Sequence, residues 1–103
     1  NSPSTKQYRL QPFEEYIFRH TLRITVKDQP GIVGQIGQVL AEHEINIYAL
    51  EQLPQYHQKH GSHPVIFTIT LEACQEALLK KALEKINKSD YLLQPISVLR
   101  EIA

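Results

Sequence analysis

The sequence has 103 residues, 42 % of them hydrophobic, and its 11 Lys+Arg balance its 11 Asp+Glu. A chain of this size folds as one domain with a small core, and its neutral balance leaves no electrostatic footprint for nucleic acid or an anionic membrane. It holds no apolar run long enough for a bilayer and no signal-peptide pattern; a single cysteine, Cys74, excludes an internal disulfide and fits a reducing cytoplasm. Methionine is absent, position 1 included, which reads as a fragment or processed product of a longer protein.

Residues 1–15 read as a linker or tail and residues 16–103 as the domain. From His20 to Lys27, Leu22, Ile24 and Val26 alternate with Thr21, Arg23, Thr25 and Lys27, the period of a half-buried strand. Asp28-Gln29-Pro30-Gly31 interrupts that period. Ile32, Val33, Ile36, Val39 and Leu40 then repeat at helical spacing and predict a helix over 30–42. Pro30 suits its first position, and Asp28 is placed to accept from its first amides. Gly31 has no side chain, so another molecule can approach the backbone there. Gly34 and Gly37 each cost the helix roughly 1 kcal/mol against alanine. They mark an accident of an exposed face or the close approach of a ligand or another subunit. His43 complements the dipole at the helix end.

A second strand follows at once, with Ile45, Ile47 and Ala49 on one face and Asn46, Tyr48 and Leu50 on the other. Residues 53–63 read as a long loop holding His57, His60 and His63. A third strand spans 64–71, with Val65, Phe67, Ile69 and Leu71 facing one way. A second helix is predicted over 72–88, capped by Thr70, with Cys74, Leu78, Leu79, Ala82, Leu83 and Ile86 as its apolar stripe. Its opposite face carries the i,i+4 pairs Glu76–Lys80 and Glu84–Lys88. A fourth strand runs from about Pro95 to Ile102. The order β-α-β-β-α-β predicts an α+β ferredoxin-like sandwich, a four-stranded antiparallel sheet with two helices on one face. Tyr48, Leu50, Ile66 and Leu99 would then form an open, partly apolar face suited to a partner.

No catalytic constellation is visible. Cys74 reads as a core thiol. Gly31-x-x-Gly34-x-x-Gly37 lies within a helix and is not a nucleotide-binding fingerprint. The three loop histidines read as solvated rather than as a metal site. The place that invites a ligand is the strand-to-helix turn, where free amides meet an acid. There Asp28 or a carbonyl would take an ammonium and backbone N–H groups a carboxylate. Asn46, at the start of the next strand, is expected to stand close to that turn.

The run His20-Thr21-Leu22-Arg23-Ile24-Thr25-Val26-Lys27-Asp28-Gln29-Pro30-Gly31-Ile32-Val33, followed by Leu40-Ala41-Glu42-His43-Glu44-Ile45-Asn46-Ile47, resembles an ACT domain. Within that family it is most similar to the C-terminal ACT domain of homoserine dehydrogenases. Leu22 to Val26, the long loop before Pro64-Val65-Ile66, Thr70 with Glu76-Ala77-Leu78, and Pro95-Ile96-Ser97-Val98-Leu99-Arg100 carry that similarity, which covers Tyr16 to Ile102. Where the family often has two aromatic residues before Leu-Arg, this chain has His20 and Thr21.

The resemblance implies a cytoplasmic regulatory module that binds a free amino acid, threonine by preference, where ACT domains pair as a homodimer or higher oligomer. It places the effector contacts at Asp28, Gln29, Pro30, Gly31, Ile32 and Val33 and at Asn46 and Ile47. The parent enzyme would interconvert homoserine and aspartate semialdehyde, with NADP or NAD held in an upstream domain; this stretch would carry no cofactor and no catalytic residue. ACT domains of phosphoglycerate dehydrogenase, of an acetolactate synthase regulatory subunit or of aspartokinase are alternatives, as is a pairing module with no ligand. An RNA-binding module of the same topology lacks its aromatic pattern and basic face here. A small phosphatase would want an Arg where Asp28 and Gln29 stand.

Overall fold

The computed structural model describes Pro12, residues 17–54 and residues 64–102. The tail reading of residues 1–15 and the histidines His57, His60 and His63 lie outside that described part, Pro12 excepted. Five strands and two helices follow in order: β1 (Ile17–Val26), α1 (Ile32–Glu42), β2 (Ile47–Gln52), β3 (Val65–Leu71), β4 (Cys74–Gln75), α2 (Glu76–Asn87) and β5 (Ser97–Ile102). In the sheet β1 lies between β3 and β5, and β2 forms the edge beyond β3; every pairing is antiparallel. This is the predicted ferredoxin-like βαββαβ arrangement, with the two-residue β4 added against the start of β1.

One face of the sheet carries the core. Leu22, Ile24 and Val26 of β1 and Phe67, Ile69 and Leu71 of β3 pack with Ile32, Ile36 and Leu40 of α1 and Leu79, Ala82 and Ile86 of α2. Each such side chain contributes roughly 1.5–3 kcal/mol by leaving water. Tyr91, in the α2–β5 link, joins this core at 6 % exposure. The Lys27 amide donates to the Tyr91 carbonyl at 2.9 Å, so the link is held against the end of β1.

Several local expectations change. Strand β1 begins at Ile17, because Phe18 and His20 continue the inward alternation and are buried. Helix α1 begins at Ile32, with Gly31 as its N-cap at φ +83° and no side-chain cap. Asp28 stands three residues ahead of that cap, too early to reach the first-turn amides. At the other end the chain makes a Schellman closure. The Ile45 amide donates to Leu40 and the Glu44 amide to Ala41, each at 2.9 Å. Glu44 sits at φ +59° to allow it. Ile45 therefore closes the helix instead of opening β2. His43 Nδ1 donates to the Val39 carbonyl at 2.8 Å, as a helix-end histidine should.

Strand β2 changes face midway. Ile47 opposes Leu71, but Ala49 opposes Thr70 and Leu50 opposes Ile69, so Tyr48 is an extra, bulged residue. A bulge reverses side-chain parity beyond it. Leu50 thus shares a face with buried Ile69, and Ala49 faces out, the reverse of the strict alternation. The open face is more polar than expected, with Thr21, Arg23, Thr68 and Thr70 around Ile66 and Leu99.

Helix α2 begins at Glu76, not Glu72. Thr70 belongs to β3, and Cys74 and Gln75 pair with Phe18 and Ile17 before the helix starts. Glu76 is buried instead of lying on the solvent face with Lys80.

Candidate functional site

The turn between β1 and α1 opens a cavity of about 210 Å3. Asp28, Gln29, Gly31, Ile32 and Val33 supply the turn side, and Val26 and Lys27 the strand that leads into it. Gln52, Val65 and Phe67 close it from the end of β2 and the start of β3. Helix geometry leaves the first four amides of α1 without intrahelical partners, and no side chain caps them. The glycine cap presents bare backbone: a Cβ built on Gly31 would meet nothing within 4 Å. The helix N-terminus adds partial positive charge. The cavity therefore joins an anion-accepting helix start to an exposed carboxylate, Asp28, over an apolar floor of Val65 and Phe67. A small molecule bearing both an ammonium and a carboxylate fits that chemistry.

Of the residues expected to bind, Asp28, Gln29, Gly31, Ile32 and Val33 line this cavity; Pro30 lies in the turn, while Asn46 and Ile47 are elsewhere. Strands β1 and β2 both run antiparallel to β3, so they run parallel to each other. The start of β2 is therefore at the opposite end of the sheet from the close of β1. The Asn46 carbonyl accepts from the Glu72 amide at 2.9 Å, and its Nδ2 donates to Glu72 Oε1 at 3.4 Å. Val65 marks the cavity end of β3, so at about 3.3 Å per residue Asn46 stands roughly 20 Å away. Gln52 and Phe67 reach the cavity because β2 ends, and antiparallel β3 begins, at the edge of the sheet where β1 ends.

A second polar group lies at the far end. His20, with no exposed surface, places Nε2 2.5 Å from Glu76 Oε1. Ionised Glu76 has only acceptors, so Nε2 donates. Arg100 Nε donates to the same oxygen at 2.8 Å and Nη2 to Oε2 at 3.4 Å. Burial acts to raise the Glu76 pKa, but the hydrogen bonds and charges of His20 and Arg100 outweigh it and hold the carboxyl below its ordinary range. Cys74 Sγ lies 3.8 Å from His20 Nδ1, and burial, then the Glu76 charge, push its thiol pKa up. This cluster joins β1, β4, α2 and β5. Among the described residues no group of three His, Cys, Asp or Glu could hold a metal ion.

A family model described as ACT domain matches residues 20–89. The chain belongs to the ACT domain family. This ACT domain is 30 % identical over 89 residues to a homoserine dehydrogenase of Neisseria gonorrhoeae, an alignment covering 86 % of the chain and 20 % of that protein. Among solved structures it is similar to a homoserine dehydrogenase from Thiobacillus denitrificans, at TM-score 0.78 and 21 % identity over 91 % of this chain and 20 % of that one. The ACT domain from GTP pyrophosphokinase of Chlorobium tepidum matches at TM-score 0.58 and 18 % identity, over 82 % of this chain and 99 % of that one. The chain thus spans about a fifth of the length of the homoserine dehydrogenases it matches. Among the described residues no helix is long and apolar enough to cross a membrane.

Proposed function

We propose that this ACT domain is the amino-acid-sensing regulatory module of a cytoplasmic homoserine dehydrogenase, with threonine as its effector. The observation that carries the reading is the cavity at the β1–α1 turn, where uncapped amides and Asp28 offer partners for both ends of an amino acid. Gln52 would add an amide side chain to the same pocket. The oxidoreductase chemistry and its NADP or NAD belong to the parent's catalytic domain.

Asn46 enters this reading through a second copy. Among the described residues strand β2 is a sheet edge with no strand paired on its outer side. Two β2 edges meeting about a two-fold axis run antiparallel, which brings each copy's Asn46 towards the other's Gln52 and Asp28. The effector would then bridge two domains and favour one arrangement of the pair. Couplings of that kind are typically about 1–3 kcal/mol.

A thermal-shift panel of the standard amino acids tests the reading. A ligand at about 100 times its dissociation constant adds about 2.7 kcal/mol to native stability, a rise of several degrees. A shift with threonine, lost in Asp28→Ala, supports the assignment. A shift with another amino acid keeps the sensor and changes the parent; none with any amino acid leaves a pairing module.

A further inference from the structure

A larger cavity, about 400 Å3, opens at the end of the sheet away from the β1–α1 turn. Arg19, Tyr48, Thr70, Leu71, Glu72 and Ala73 line it. Two neighbouring breaks in strand pairing flank it. Tyr48 is the bulged residue of β2. Between the pairs Thr21↔Thr70 and Phe18↔Cys74, β3 and β4 hold one residue more than β1, at the Glu72–Ala73 step. The hollow lies where the regular ladder is lost on both strands.

Among the described residues its two charges form no ion pair. Arg19 forms no ion pair or hydrogen bond through its side chain with any described residue, Glu101 opposite it on β5 included. The Glu72 carboxylate accepts one long bond, from Asn46 at 3.4 Å, which leaves most of its acceptor capacity open. A guanidinium and a carboxylate thus line one hollow without meeting each other. Guanidinium binds carboxylate in a two-pronged fork. The half-buried Thr70 offers a hydroxyl, and the Tyr48 ring, 76 % exposed, stands at the side. The volume falls within the roughly 300–1,000 Å3 usual for small-molecule sites.

We propose that this cavity is a second binding site, for a small zwitterion of the free α-amino-acid type, its carboxylate on Arg19 and its ammonium on Glu72. Within one chain the site shares no lining residue with the cavity at the β1–α1 turn. Its occupant would tie the β3–β4 bulge to Arg19, between buried Phe18 and His20 at the very start of β1.

The test is an amide NMR titration of the Asp28→Ala variant, in which the β1–α1 site is disabled, with each standard amino acid at millimolar concentration. The expected result is that at least one shifts the amides of Arg19, Tyr48 and Thr70 to Ala73. Its N-acetyl and carboxamide analogues, each lacking one charge, fail to do so. Arg19→Gln and Glu72→Gln, both at exposed side chains, each weaken binding about tenfold or more. Shifts confined to Gly31, Ile32 and Val33, no shift with any amino acid, or binding unchanged in both variants would overturn the proposal.

Discussion

His20 and Glu76 are 56 positions apart in the chain, yet Nε2 of the one lies 2.5 Å from Oε1 of the other, and Arg100 shares that oxygen at 2.8 Å. The first residue of α2 is thereby fixed to two neighbouring strands, since His20 and Arg100 are register partners across β1 and β5. Removing one partner of a buried pair strands the other's charge or dipole. Glu76→Ala should therefore cost about 3 kcal/mol in urea unfolding. His20→Ala should cost less, because Arg100 still satisfies the carboxylate.

The same cluster sets an acid sensitivity. The folded pKa of Glu76 lies below the ordinary 4.5, through the net effect of burial opposed by the stronger pull of His20 and Arg100. The stability this gives is complete above the unfolded value and is lost as pH falls through the folded one. Urea midpoints measured from neutral pH down to below 4.5 should fall more steeply for the native chain than for Glu76→Gln. Parallel curves would show that the carboxylate contributes nothing specific.

Glu44 holds a left-handed conformation at φ +59° in the closure of α1. That region costs a non-glycine residue roughly 1–2 kcal/mol, part of which glycine loses again in unfolded-chain entropy. Glu44→Gly should stabilise the fold by about 0.5–1 kcal/mol, read as a higher denaturation midpoint with an unchanged slope.

Gly34 and Gly37 sit in α1, and a Cβ on either meets nothing within 4 Å inside one chain. Alanine at each should stabilise the helix by about 1 kcal/mol. Sedimentation of the same variants gives the other half of the answer. Weakened self-association would place a second copy against that face; unchanged association would leave it to solvent.

A mixing experiment tests the proposed sharing of the effector site between two copies. Asp28→Ala and Asn46→Ala should each abolish the threonine response alone. Co-folded in equal amounts, about half of the dimers are mixed and each of these has one intact site of two, so about a quarter of the response returns. If Asn46 acts within its own chain, mixing restores nothing.

The two helices, four of the strands and the inward residues of β1 and β3 were legible from periodicity, because both strands run regularly between helix-covered and open faces. What escaped the sequence is local and has a cause in each case. The bulge at Tyr48 reverses the parity of β2, and nothing in Ile-Tyr-Ala-Leu marks it. The late start of α2 follows from Cys74 and Gln75 pairing with β1, a contact distant in sequence. Glu76 looked like a solvent-face residue because its partners lie in β1 and β5. The turn side of the β1–α1 cavity is readable in Asp-Gln-Pro-Gly. Its other side is not, because strand direction, which within one chain brings Gln52 there and puts Asn46 at the opposite end of the sheet, is set by pairings distant in sequence.

Cys74 is the sole thiol of the sequence and lies beside His20, half-buried and held protonated by burial and by Glu76. It modifies slowly while this end of the sheet is closed, because the thiolate is the reactive form. Its alkylation rate is therefore a built-in clock for how often β4 lets go of β1. A maleimide added in the presence and absence of an effector would time that opening without any engineered label.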